Sequence, residues 1–184
     1  MRISKLIVTA LVVTGLAAAT VPTLAAQGDM GRGSQSGANT LTPLTEAEVA
    51  TLKWMREEEK LARDMYLTLN LYHPAKIFTN IAASEQRHFD ALGKKLELYG
   101  VEDPAQADIG VFTDPGLQAL YDQLIAQGLT SQTEAYKVGV LIEETDIADL
   151  TRAMNSTTDT SILATLDKLR SASESHLAAF SKKL

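Results

Sequence analysis

The chain has 184 residues, with 23 acidic against 17 basic side chains and no cysteine. That length suggests one domain with enough chain to bury a real core. The missing cysteines exclude disulfides, thiolate zinc sites, iron–sulfur ligation and a lipoprotein anchor, and the acidic balance argues against nucleic acid as a partner. Any metal must therefore be held by Glu, Asp and His, and the histidines are His73, His88 and His176.

Residues 1–26 read as an export signal. Arg2 and Lys5 give a positive start, "LIVTALVVTGLAAA" is an apolar run of suitable length, and small residues surround Ala25 and Ala26. A retained membrane anchor is the alternative, but the run is short for a span and ends in "TVPTLAAQ". The expectation is a bacterial protein, periplasmic or secreted, with no stable membrane span after cleavage. Without Arg2 and Lys5, two of the 17 basic residues, 15 remain against 23 acidic ones, a net of −8. There is no Gly-rich phosphate loop and no Ser-centred nucleophile elbow.

Residues 27–43, "QGDMGRGSQSGANTLTP", are polar and glycine-rich and read as a flexible linker. The folded domain is expected over 44–184. The spacing predicts a first helix over about 45–72, opened by a capping-box pattern at Thr45 and Glu48 and stopped at His73-Pro74. A second runs over about 75–99 and ends at Gly100. A Pro- and Gly-bearing connection follows, with a short helix over about 116–127. A third long helix, over about 131–155, opens with Ser131 and Glu134 in capping-box spacing, and a fourth fills about 159–182. No strand pattern appears. The fold class is all-α. Two short connections favour antiparallel hairpins, and one long link between them matches a four-helix bundle with one long crossover carrying a short extra helix.

Each long helix carries an apolar seam with steps of three and four. The seams read Leu52, Met55, Glu59, Ala62, Tyr66, Leu69, then Ile77 or Phe78, Ile81, Glu85, His88, Leu92, Leu96, Tyr99. The third reads Tyr136, Val140, Glu143, Ile147, Leu150, Met154, and the fourth Ile162, Leu166, Leu169, Ser173, His176, Phe180. Glu58, Glu144, Asp146 and Glu174 are weaker ligand candidates, of which Glu58 and Asp146 border these lines, and Glu57 faces away. Any one polar seam residue is ordinarily a satisfied core group. "EEE" at 57–59 also reads as a solvated charge run, Asp149 as a solvated acid, His73 as an exposed loop residue, and Trp54 and Phe89 as packing. All four seams, however, break near their middles with metal-ligand residue types. Buried carboxylates repel one another and are costly to desolvate. No Lys or Arg stands on the seams to neutralise them, and Arg63 and Arg87 point aside. A bound cation resolves the conflict, and a sulfur-free set of oxygen and imidazole ligands suits iron or manganese, with zinc an alternative.

These residues resemble a known family. "EKLARDMY" with Glu59 and "SEQRHFD" with Glu85 and His88 resemble the first- and second-helix motifs of rubrerythrins and ferritins. "GVLIEETDIADL" with Glu143 resembles the third-helix motif, with Asp146 where rubrerythrins carry a second carboxylate, and "SESHLAAF" with His176 the fourth. More narrowly, the four segments resemble an uncharacterised branch of the ferritin-like superfamily, over about 45–182. The resemblance implies a ferritin-like four-helix bundle holding iron, with ferrous iron oxidised by a small oxidant, oxygen or peroxide, and a homodimer as one assembly. Tyr66 would then bond a ligand or pass an electron, or else serve as a core aromatic. One position departs: Ser173 stands where the fourth helix should carry Glu, and Glu174 is about 100° of rotation away. That leaves an asymmetric or single-metal site open beside a di-iron one. Two readings compete with an oxidase: metal binding without turnover, and a metal-free interaction module at the cell envelope.

Overall fold

The computed structural model describes residues 41–184. The expected export signal and most of the linker lie outside the described residues. Within them the chain forms five helices and no strand: α1 (Glu46–Tyr72), α2 (Lys76–Leu98), α3 (Pro115–Gly128), α4 (Gln132–Ser156) and α5 (Thr160–Ser181). None of them is long and apolar enough to cross a membrane.

The helix ends follow from the chemistry of their first and last turns. At α1 the Thr45 hydroxyl accepts from the Glu48 N–H at 3.2 Å, and Glu48 accepts from the Thr45 N–H at 2.9 Å, a complete capping box. At α4 only half of that box forms. Ser131 accepts from Glu134 N, but the Glu134 carboxylate turns to Lys137 and Gln127. Asp114 and Asp159 cap α3 and α5, and Pro115 fills the first turn of α3, where its missing N–H costs nothing. After α2 the backbone turns through Gly100 at φ 65°, a conformation that only glycine adopts readily.

Helix α1 packs on α2, and α4 packs on α5. Contacts of α1 with α4 and of α2 with α5 close the four into a bundle, and α3 lies against α1 and α4. Neighbouring helices run antiparallel. Along α1 and α4, Tyr66 meets Glu143 and Glu48 meets Thr157. Along α2 and α5, Glu85 meets His176 and Lys95 meets Ser161. The apolar core is consequently split. One part gathers Met65, Tyr66, Leu69, Phe78, Ile81, Val138, Ile142 and Phe180. The other gathers Leu52, Met55, Leu92, Leu96, Leu150, Ile162, Leu166 and Leu169. Burying each such leucine or phenylalanine contributes about 1.5–3 kcal/mol, so both halves hold the helices firmly on either side of the layer between them.

The seams on α1, α2 and α5 lie as the spacing predicts. The α4 seam is partly rotated: Glu143 and Leu150 are buried as expected, but Ala135, Val138, Gly139, Ile142, Asp146 and Asp149 are buried too, whereas Tyr136, Val140, Ile147 and Met154 are only half-buried. Size explains the difference. Phe180 lies so close to Gly139 that an added Cβ would sit 2.7 Å from its ring, so the core line of α4 needs small residues there.

The outer side of α1 anchors the connection between α2 and α4. Glu57, expected to face away, is buried and accepts the backbone N–H groups of Thr113 (2.6 Å) and Asp114 (3.0 Å). Lys60 is fully buried. Its ammonium bonds Asp64 at 2.5 Å and the carbonyls of Asp108 and Val111 at 2.8 and 3.1 Å. Arg56 stacks on Phe89, 3.0 Å from the ring centre, and pairs with Asp103 at 2.8 Å.

Candidate metal centre

The layer between the two apolar halves is built by one turn from each long helix. Helical spacing puts Glu85 and His88 on the same face of α2, and the antiparallel packing brings Glu59, Glu143 and His176 to the same level. His88 Nδ1 lies 2.7 Å from Glu85 Oε2 and 3.2 Å from Glu59 Oε2. His176 Nδ1 lies 2.7 Å from Glu85 Oε1 and 3.5 Å from Glu143 Oε2. The two imidazoles stack with centres 5.7 Å apart. Two groups could each hold a metal ion, Glu59–Glu85–His88 and Glu85–Glu143–His176, each offering donor atoms within 4.8 Å of one another. Glu85 belongs to both and gives one oxygen to each side.

The donors are poorly served by the protein itself. Glu59 Oε1, Glu85 Oε1 and His176 Nδ1 are buried without a hydrogen-bond partner. His176 and Glu85 approach closely but are not oriented as donor and acceptor. Orphaned buried polar atoms are rare in folded proteins, because each costs roughly 1–3 kcal/mol. A cation bound among them supplies what they lack, so the residues present fit a metal ion. Oxygen and imidazole donors without sulfur suit iron, manganese or zinc.

Electrostatics agree with the geometry. Burial pushes Glu59 well above the carboxylate range, and the charges of Asp146 and Glu85 add to the effect. Burial raises Glu143 to about 7; His176 offsets part of this and Glu85 adds to it. Asp146 is raised to about 8 by burial and by Glu143. Burial opposes the charge of His176, but the adjoining Glu143 and Glu85 carboxylates outweigh it and hold the imidazole at about 9. Burial also disfavours ionised Glu85, yet His176 and His88 hold it at about 2. Without a cation, then, the layer keeps Glu85 ionised and covers much of its remaining negative charge with protons.

Residues 48–184 match a family described as an uncharacterized protein domain, DUF2202. The chain belongs to this family. It is 46% identical over 143 residues, 77% of each chain, to the uncharacterized protein MJ0754 of Methanocaldococcus jannaschii. The crystal structure of that hypothetical protein is similar at a TM-score of 0.77 and 44% identity, covering 79% of this chain and 83% of the other.

Within the DUF2202 domain the remaining sequence candidates separate cleanly. Tyr66 is buried, and its hydroxyl donates to Glu143 Oε1 at 2.7 Å; burial and the Glu143 charge push its own proton loss well above 10. Asp146 is buried at the edge of the layer near Ser173. The Ser173 hydroxyl donates its one hydrogen to the Leu169 carbonyl at 3.1 Å. Glu58 is buried next to Trp54. Glu144 and Glu174 are exposed, outside the layer, and Glu174 pairs with Arg170 at 2.7 Å. Asp149, expected to be solvated, is buried against Arg152. His73 is half-buried, with Nε2 3.3 Å from the Leu129 carbonyl and far from the layer in sequence and level. Sequence reasoning missed the Lys60–Asp64 pair, although Lys and Asp four apart on one helix signal it.

Proposed function

We propose that this DUF2202 domain is a metal-binding protein of the ferritin-like type, with its long link acting as the crossover of that bundle. Iron is the preferred ion, and manganese or zinc the alternatives. The observation that carries the reading is Glu85, whose two oxygens each complete a carboxylate–histidine triad inside an apolar bundle. When bound, the ion supplies Lewis acidity and, if it is iron, a one-electron redox couple open to oxygen or peroxide. Glu59 and His88 would hold an ion with Glu85 in one triad, Glu143 and His176 would do so in the other, and Tyr66 orients Glu143 by donating a hydrogen bond to its Oε1. The export signal read in residues 1–26 supports action in the periplasm or outside the cell.

Metal analysis of the purified protein tests this, followed by ferrous oxidation under air against Glu85→Ala. Stoichiometric iron and oxidation above that control are expected. No uptake of iron, manganese or zinc ends the reading. A second reading, binding without turnover, is favoured by Ser173: a hydroxyl bonded to its own helix cannot bridge as a glutamate would. Tight binding with no oxidation above the control selects it.

A further inference from the structure

Resting on the metal-centre reading above, we propose that a divalent cation enters and leaves the layer through the seam between α2 and α5, past the edges of His88 and His176. The packing of the bundle leaves this seam as the way in. The hairpin pairs α1–α2 and α4–α5 pack most closely, and α3 lies against both α1 and α4. Helix α3 spans the level of the layer, from its N-cap Asp114, whose N–H bonds Glu57, to Gly128, which lies against Leu69. Among the described residues no helix lies across α2 and α5 in that way. The two apolar halves of the core close the remaining directions along the bundle.

The exposure of the donors follows the same line. The side chains of Glu59, Glu85 and Glu143 are 1%, 2% and 2% exposed, against 8% for His88 and 12% for His176. Solvent therefore reaches the donor set chiefly at the imidazoles. The two rings stack across the seam, and Lys95 meets Ser161 at 3.2 Å further along it, which fixes the flanks that face one another. On those flanks Ala91 stands three residues after His88, and Ala179 three residues after His176. A helical side chain leans over the turn that precedes it, so a longer residue at either place would roof the imidazole before it. Both alanines are half-buried, and each packs on a different half of the core, so they flank the layer from its two sides. Behind them the seam holds an unanswered acceptor. Glu85 Oε1 reaches from α2 towards α5, 2.7 Å from His176 Nδ1, and has no hydrogen-bond partner.

The test loads the full chain with Zn2+ and measures uptake by stopped flow, release to excess chelator, and Kd by equilibrium dialysis. Ala91→Leu and Ala179→Leu should each slow uptake and release alike, by about tenfold, and leave Kd at its wild-type value, because an obstacle on a path raises the same barrier in both directions. Either variant serves if the other folds poorly. Ala83→Leu, the same exchange on the exposed face of α2, should keep wild-type rates. Wild-type rates in the folded seam variants overturn the route and leave the metal centre standing. Slowing confined to one direction also overturns it, since a shifted Kd means that the leucine disturbs the ligands. Equal slowing in Ala83→Leu overturns it as well. Absence of Zn2+ binding in wild type ends the route and the metal-centre reading together.

Discussion

Glu85 sits 2.7 Å from His176 Nδ1 through one oxygen, while its other oxygen lies equally near His88 on its own helix. The carboxylate thus ties α2 to α5 and joins two donor groups into one layer. Removing it affects both halves. Glu85→Ala should weaken metal binding by at least about 100-fold, since even outer partners of metal ligands account for 10–100-fold. Equilibrium dialysis with Fe2+ or Mn2+ checks this, and retention of one ion at wild-type affinity would show that the halves act independently.

The stability of the metal-free protein should fall as pH rises. Glu143 and Asp146 titrate at about 7 and 8 in the fold against 4.5 and 3.8 normally, so the folded state holds protons that the unfolded chain has released. That contribution is present below the ordinary carboxylate range and fades as pH climbs through 7 and 8. His176 acts in the same sense: raised from 6.5 to about 9, it stabilises fully below 6.5 and stops doing so through 9. Glu85 works oppositely, but only in acid, where its stabilisation is lost as pH drops from 4.5 through about 2. The melting temperature without metal should be highest near pH 4, between the window in which the Glu85 contribution is lost and the one in which those of Glu143 and Asp146 are lost, and drop by on the order of 10 °C by pH 9, from a few kcal/mol spread over the layer.

With a divalent cation that slope should flatten or reverse. Binding requires deprotonated carboxylates and imidazole, so apparent affinity rises across the window in which Glu143, Asp146 and His176 lose protons. Calorimetric titration in buffers of different ionisation enthalpy should report proton release on binding near pH 7. Zero release would mean that the ion does not enter this layer.

Lys60→Met should destabilise the protein by about 3–5 kcal/mol, the usual effect of stripping one partner from a buried ion pair. Asp64 would keep Arg63, 2.7 Å away, but lose its buried ammonium, and the carbonyls of Asp108 and Val111 would lose their donor. Hydrogen exchange gives a local readout. The Gly110 amide, bonded to Asp64 at 3.0 Å, should exchange faster in the variant than amides in the middle of α5.

The sequence was most legible where large apolar residues and metal-type ligands alternate with helical spacing. On α1, Glu59 falls between Met55 and Ala62, and on α2, Glu85 and His88 fall between Ile81 and Leu92; each position is buried as the period requires. It was least legible where packing, not hydrophobicity, selects the inward face. On α4 the inward face mixes Val138, Ile142 and Leu150 with Gly139, Asp146 and Asp149, while the apolar Leu141 is 43% exposed and Val140 and Ile147 are half-buried, so a hydrophobic ranking drifts to the shoulder of the helix. Glu57 and Lys60 escaped for a different reason. Apart from Asp64, whose spacing from Lys60 is readable, their partners are backbone groups of the connection between α2 and α3, and no one-dimensional pattern marks where a loop will lie.

The same α4 line yields a packing test. Gly139→Ala would set a methyl group against the Phe180 ring, which also packs on Tyr66 with centres 5.1 Å apart. Overpacking of this kind costs typically about 1–3 kcal/mol. Because Tyr66 donates to Glu143, the displaced ring should also disturb that bond and weaken metal binding more than the stability loss alone implies. Phe180→Leu in the same chain should return the metal affinity more fully than the melting temperature, since it frees space beside Gly139 but removes aromatic contact with Phe78 and Tyr66. Equal recovery of both in the double variant would show that the ring carries no influence from α5 into the carboxylate layer.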